Sequence, residues 1–531
     1  MFVKRLNGKS WNNMVKKCGR CLLIIALSAA VINAAGAQPS TGIFDVRDYG
    51  AFGDGVTLDT KAVQAAIDAC AGAGGGKVCF NSGRFLCGTI HIKSNVTLYI
   101  EAGAVLLGSK NLNDYPVTIP TYRSYTDHYT DKSLIYAEKA ENIALMGRGT
   151  IDGQGASFEG PYKVRPYLIR IIECNNVMVK DLTIRNSAMW VQHYLACENV
   201  VIEAVTVDSV VNGNNDGIDI DSCRKVRISN CNIISLDDAI VLKSTSDRPC
   251  RDVAVSNCVL KSRCNALKLG TESNGGFQNI TINNCTVYDT RLCGVALELV
   301  DGGGFDRVNV SNIVMENVGC AIFVRLGNRA RPFTNVTVDP KNPCSSDFKT
   351  GTKAKIPGMG SMRNIIISNI QATGVGDTGC SVTGLSGFDV ENVTLSNIRI
   401  EFKGGGSAEL VNREIPENAK NYPEYDMFGP LPAYGFYCRH VKGIKFHNVE
   451  FCFEKSDFRP GLVFDDVKDL EIFSFDAEVE SSAKALIWLK NVNGAFIHGC
   501  TVPSNVETFV LFDPDESKNV KIANNHTSNI Q

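Results

Sequence analysis

The sequence predicts an all-β fold, a single-stranded parallel β-helix (a solenoid) with a short N-terminal capping helix, and three observations predict it. Segments such as RKVRISNCNI, RDVAVSNCVL and QNITINNCTV repeat, with apolar residues on alternate positions and an Asn before an inward residue. Cys231, Cys258 and Cys285 recur 27 residues apart at one place in that pattern. The repeats lack amphipathic helices between them, and Val, Ile and Thr dominate where a leucine-rich repeat would place its leucines. In a parallel β-helix each coil lays its strands on the previous coil, about 4.8 Å away, so inward residues form columns. The three cysteines are one predicted column.

From the start of the chain, Lys4, Arg5, Lys9, Lys16, Lys17 and Arg20 precede an apolar run from Leu22 to Ile32, and Ala35-Gly36-Ala37 offers a small-residue cleavage site. Residues 1–37 therefore read as a secretory signal, and the expected location is periplasmic or extracellular. No later stretch is long enough to span a bilayer, so no membrane association is expected after cleavage. Residues 38–531 read as one domain and a monomer. Its N-terminal cap, about 43–110, contains GVTLDTKAVQAAIDACAG, an amphipathic helix capped by Asp59 or Thr57 that covers the open end of the stack. Two long loops interrupt the rhythm, at about 327–362 and, rich in aromatics, at about 421–437.

The formal net charge of -2 excludes a general affinity for nucleic acid. Twenty cysteines in a secreted chain would suggest a disulfide framework. Their repeat positions favour small buried fillers with free thiols, although neighbouring coils are close enough to be bonded.

The chemistry is expected at two motifs. In NNDGIDIDS, residues 214–222, Ile218 and Ile220 point inward and Asp219 and Asp221 outward. In LDDAIVLKS, Ile240 and Leu242 do the same, and aligning Ile218 with Ile240 gives a coil of 22 residues. That register stacks Asp216 on Asp238 with Asp237 beside them. Three crowded carboxylates push at least one pKa upward, as a general acid requires. Hydrolysis of a glycoside with inversion needs one protonated carboxyl and one carboxylate activating water, about 6.5–9.5 Å apart. An ordinary Asn-Asp-Gly turn and a Ca²⁺ site are the alternatives at this point.

NNDGIDI followed after one coil by LDDAIVLKS resembles the Asn-x-Asp and Asp-Asp motifs of glycoside hydrolase family 28, the polygalacturonases and rhamnogalacturonases. The resemblance extends over FDVRDYGAFGDGVTLDTKAVQAAID, GTIHIKSNVTLYIEAGAVLLGS and NSAMWVQHYLACENV, the last similar to that family's Ser-x-x-Trp-x-x-His segment. It implies a right-handed helix and a hydrolase, and since protonation and water activation need only carboxyls, no metal or organic cofactor is expected. It also implies Asp237 as the acid that protonates the leaving oxygen, and Asp216 and Asp238 as the pair that holds and activates water, with Asn214 opening the motif. Trp190 and His193 would line a neighbouring subsite; buried packing is the alternative for Trp190.

The chain departs from the family at two places. Cys264 and Asn265 stand where polygalacturonases carry a Gly-His-Gly histidine, and Ala296 and Glu298 replace their carboxylate-gripping Arg-x-Lys. Rhamnogalacturonases also lack the histidine. Aligning ALKLG with ALELV at an offset of 30 predicts an outward column of Lys268, Glu298 and Arg325, in which the two cations replace the lost clamp on a uronate. An ion-pair ladder is the plainer reading. Lys243 is expected over Asp221, and Tyr422, Tyr425, Phe428, Tyr434 and Tyr437 at one end of the groove. The function expected is a secreted inverting glycoside hydrolase, exo-acting on a pectic polysaccharide or oligosaccharide. A polysaccharide lyase and a non-catalytic glycan-binding solenoid are the competitors.

Overall fold

A computed structural model describes residues 42–122, 124, 129–332 and 357–527. The predicted signal segment, Cys344 and most of the 327–362 loop lie outside the described residues. Strand pairing is parallel from coil to coil, so that each strand finds its partners one coil before and one coil after it. This is the parallel β-helix that the repeat predicts.

The repeat has a physical cause at its corners. Asn230, Asn257 and Asn284, the asparagines of the SNC, SNC and NNC segments, adopt the left-handed conformation that Asn tolerates better than most residues. The side chains on such corners are stacked: Asn142 donates to Asn95 at 2.9 Å and Asn176 to Asn142 at 2.8 Å. Further along, Asn369 donates to Asn312 at 2.8 Å and Asn397 to Asn369 at 2.9 Å. Each ladder turns the chain into the next strand and satisfies one amide with the next.

Inside, Val, Ile and Leu from successive coils fill one continuous core. Cys231, Cys258 and Cys285 are buried in it, one above another, with the Val259 and Thr286 amides bonding the Cys231 and Cys258 carbonyls. All seventeen described cysteines are free thiols.

Helix α1, Thr60–Gly72, turns Val63, Ala66, Ile67 and Cys70 onto the first coils. Asp59 occupies its N-cap position without capping it; the carboxylate instead accepts from the Phe52 and Gly53 amides, at 2.8 and 3.0 Å, and pins the preceding loop. Among the described residues no helix is long and apolar enough to cross a membrane.

Five strands position the site: β1 (Ile218–Asp221), β2 (Ile240–Ser244), β3 (Leu267–Ser273), β4 (Gly276–Leu299) and β5 (Gly304–Leu326). Ile218 pairs with Ile240 as the 22-residue register predicts, which brings Asp221 opposite Lys243. Lys268, however, pairs with Ala296 and not with Glu298. The coil is 28 residues long, and the likeness of ALKLG to ALELV does not reflect the stacking. Glu298 pairs with Arg325 as expected.

Candidate active site

The loops that lead into β1 and β2 set Asp216 beside Asp237 and Asp238. One carboxylate oxygen from each lies within 4.8 Å of the others. Between nearest oxygens that is closer than the about 6.5–9.5 Å expected for an inverting pair. Asp216 and Asp238 are buried and Asp237 is half-buried. Burial, and then the charge of Asp237, push the Asp216 carboxyl up to about 8. Burial, and then Asp238, also raise Asp237. The cluster therefore retains a proton near neutrality.

Each acid has a distinct set of partners. Asn214, in the left-handed conformation, is held by Arg165 at 3.0 Å and turns its amide to Asp237 at 3.5 Å. Asp238 accepts from the backbone and side-chain nitrogens of Asn265 at 3.0 and 2.8 Å, and its other oxygen lies 3.3 Å from Lys268 Nζ. Asn265 is thus a strut for Asp238 at the place where the family's histidine is missing. Lys243 Nζ lies 3.3 Å from Asp216, 3.4 Å from Asp219 and 3.5 Å from Glu272, with the Trp190 ring 4.6 Å away. The register places Lys243 beside Asp221, but its ammonium bends back to these other acids.

Lys268 Nζ is likewise surrounded, by Asp238, by Glu298 at 3.8 Å and by Glu424 at 3.4 Å. Burial opposes the charge on both lysines, and the surrounding carboxylates outweigh it and raise both. Burial raises Glu298 and Glu424 as well. The three central acids could offer ligands to a cation, yet two of them already face an ammonium at 3.3 Å. A divalent ion would have to compete with both lysines.

Three predicted subsite residues are placed differently. His193 is fully buried with Nε2 3.3 Å from Asp221 Oδ2, stacked on Tyr167 and edge-on to Trp190, so it is packed behind the groove wall. Burial lowers its pKa, against the opposing pull of Asp221. Trp190 is buried among Tyr167, Met189 and Tyr129 and serves as the apolar plate against Lys243. Arg325 does not join the Lys268 cluster. Its guanidinium donates to Thr383 Oγ1 at 3.3 Å and to the carbonyls of Gly384 at 3.0 Å and Glu417 at 2.5 Å, and so fastens a loop. The proposed pairing of Lys268 with Arg325 in a uronate clamp is not formed.

The aromatic loop contributes selectively. Phe428, Tyr434 and Tyr437 are buried as packing. Tyr422 is 53% exposed, with Lys268 Nζ 5.5 Å and Arg329 Cζ 5.7 Å from its ring centroid. Glu424, two residues on, enters the site. Sequence reasoning missed Glu424, Asn265 and Arg329, since nothing local in the chain tells which loop residue folds over which coil; the adjacent acid in NYPEYDMF was the available signal.

Fold and site together define a class: a parallel β-helix with a carboxylate centre on its side, opposed by buried lysines. Residues 81–419 match the family described as Glycosyl hydrolases family 28. The chain belongs to this family. It is 36% identical over 217 residues to a probable polygalacturonase of Vitis vinifera, covering 38% of this chain and 44% of that protein. An exo-poly-alpha-D-galacturonosidase of Dickeya chrysanthemi is 28% identical over 251 residues, 37% of this chain and 41% of that one. The aligned part thus spans less than half the length of these curated relatives. The fold is shared with a hyperthermoactive exopolygalacturonase of Thermotoga maritima, with TM-score 0.54, 24% identity and coverage of 68% of this chain and 87% of that one.

Proposed function

We propose that this chain is a secreted glycoside hydrolase that cleaves pectic glycans with inversion, acting from chain ends to release galacturonate or its near relatives. The observation that carries the reading is the meeting of Asp216, Asp237 and Asp238 within 4.8 Å, on a helix of family 28. No packing requirement explains three neighbouring carboxyls, and like charges so close are unfavourable unless a proton is shared.

Asp237 is the least buried of the three and has a raised pKa, and it delivers the proton to the leaving oxygen. Asp216 and Asp238, held by Lys243 and Lys268, bracket the attacking water. The ammoniums beside these two acids weaken either as a nucleophile, and a proton shared in the cluster weakens Asp216 further, which favours direct attack by water over a glycosyl-enzyme intermediate. Exo action is supported by the placement of Tyr422 and Glu424 at the site and by the likeness to the exo-poly-alpha-D-galacturonosidase of Dickeya chrysanthemi.

The test is to incubate the purified protein and its Asp237→Asn variant with polygalacturonate, rhamnogalacturonan and short oligomers of each. Chromatography with ultraviolet detection separates the products, and proton NMR identifies the anomer formed first. Saturated monomers of inverted configuration, absent with the variant, are expected. Ultraviolet-absorbing products would mean a lyase, a retained anomer would remove inversion, and ladders of intermediate length would remove exo action.

A further inference from the structure

Among the described residues Lys243 and Lys268 are each already matched by three carboxylates and Arg329 by Asp301 and Glu272, while Arg165 is committed to the Gly213 carbonyl and Asn214 Oδ1. An anionic sugar therefore finds little uncommitted positive charge there. Exposed positive charge lies instead at the corner of the same coils. Lys261, Arg263, Asp289, Arg291, Asn317 and Lys403 line an open cleft of about 370 Å³ on successive coils. Lys261 is paired with Asp289 at 2.8 Å, and Asn317 bridges Asp289 and Lys403, at 2.9 and 3.2 Å. Arg263 and Arg291 are exposed and have no ion-pair partner among the described residues. On a chain whose formal net charge is -2, this is a local concentration of positive charge.

The cleft is built into the site's own coils. Arg263 precedes Cys264 and Asn265, and Asn265 holds Asp238. Arg291 lies one coil on, two residues before Cys293, whose amide donates to Asn265 Oδ1 at 3.0 Å. Glycines continue the wall: a Cβ on Gly319 would meet the Arg291 carbonyl oxygen at 2.2 Å, and one on Gly376 would meet the Gly319 carbonyl oxygen at 2.3 Å. The loop that sends Glu424 to Lys268 also brings the Tyr425 hydroxyl to within 3.0 Å of that Gly319 Cβ position. One short segment, 422–425, thus borders both the acid centre and the basic cleft.

We propose that this cleft is a binding site for a polyanionic glycan, a run of uronate residues that Arg263 and Arg291 grip beside the acid centre, with Lys403 adding charge. The site gives the protein its preference for long acidic chains over short ones. It rests on the hydrolytic reading for what happens at the acids, while binding itself does not depend on turnover.

The test uses the full chain in an Asp237→Asn background, carrying Arg263→Glu with Arg291→Glu, or Arg263→Lys with Arg291→Lys. Calorimetric titration with digalacturonate and with long oligogalacturonides is run at two NaCl concentrations. The Glu pair is expected to weaken long-chain binding by at least about 10-fold and the Lys pair to retain it. The slope of log Kd against log salt is expected to fall by about two in the Glu pair. Digalacturonate binding should change less than long-chain binding. If the Glu pair does not melt cooperatively, Arg263→Gln with Arg291→Gln replaces it. Long-chain binding lost in the Glu pair, alongside a wild type that turns over no uronate, would keep the cleft and remove the hydrolytic reading. Equal long-chain affinity in the Asp237→Asn parent and its Glu-pair variant, or no affinity of either for polygalacturonate, would overturn the cleft.

Discussion

At the scale of single residues, the site is held together by opposed buried charges, and each can be tested by removing it. Asp216 has its pKa raised to about 8 by burial and by Asp237, against about 3.9 unfolded. Folding therefore favours its protonated form. That contribution is fully present below about pH 4 and is lost as pH rises through about 8, at up to about 1.4 kcal/mol per pH unit. Asp216→Asn should abolish turnover and yet gain stability relative to wild type as pH rises from 5 to 8, measured by urea unfolding at both values. Parallel stability profiles would refute the shift. Lys268 is the opposite case: Lys268→Met leaves Asp238, Glu298 and Glu424 facing one another without a cation. A loss of about 3–5 kcal/mol is expected from the same unfolding measurement, since an ion left unpaired in the interior is far costlier than the pair was favourable.

At the scale of elements, the decisive piece is the loop that carries Tyr422 and Glu424 back to coils more than 150 residues earlier in sequence. Tyr422 is exposed and lies near Lys268 and Arg329, so its ring is a platform for a sugar more than a part of the core. Tyr422→Ala should raise KM about 10-fold with little change in thermal midpoint, read from steady-state kinetics beside a melting curve. A large drop in midpoint with KM unmoved would make the ring structural. The register of β1 on β2 was legible in sequence because Ile218-x-Ile220 and Ile240-x-Leu242 alternate and only one alignment keeps both pairs inside. The register of β3 on β4 was not. ALKLG and ALELV look alike, but two neighbouring alignments keep the apolar residues inward, and the turn lengths between them choose 28 over 30. The three acids were legible from their motifs. His193 and Arg325 were misread because a strand's alternation tells which face a side chain leaves from and not whether a loop later covers it. Glu424 was missed for the same reason.

At the scale of the whole molecule, the described coils share one core, with its cysteines distributed along the stack as free thiols. Unfolding in guanidinium without reductant, followed by alkylation and mass spectrometry, should therefore label all seventeen described cysteines to the same extent as a reduced sample. Unlabelled pairs from neighbouring coils would show that bonds form between them under oxidising conditions. Helix α1 has a consequence at this scale as well. A stack of parallel strands ends in a row of unsatisfied amides and carbonyls, a template on which another chain can continue the same hydrogen-bonding pattern. By laying Val63, Ala66, Ile67 and Cys70 against the first coils, α1 covers the apolar end of the core that such an addition would have to join. The thirteen residues of this helix thus work against end-to-end growth at the N-terminal face, as a stopper on a fold built like a fibre.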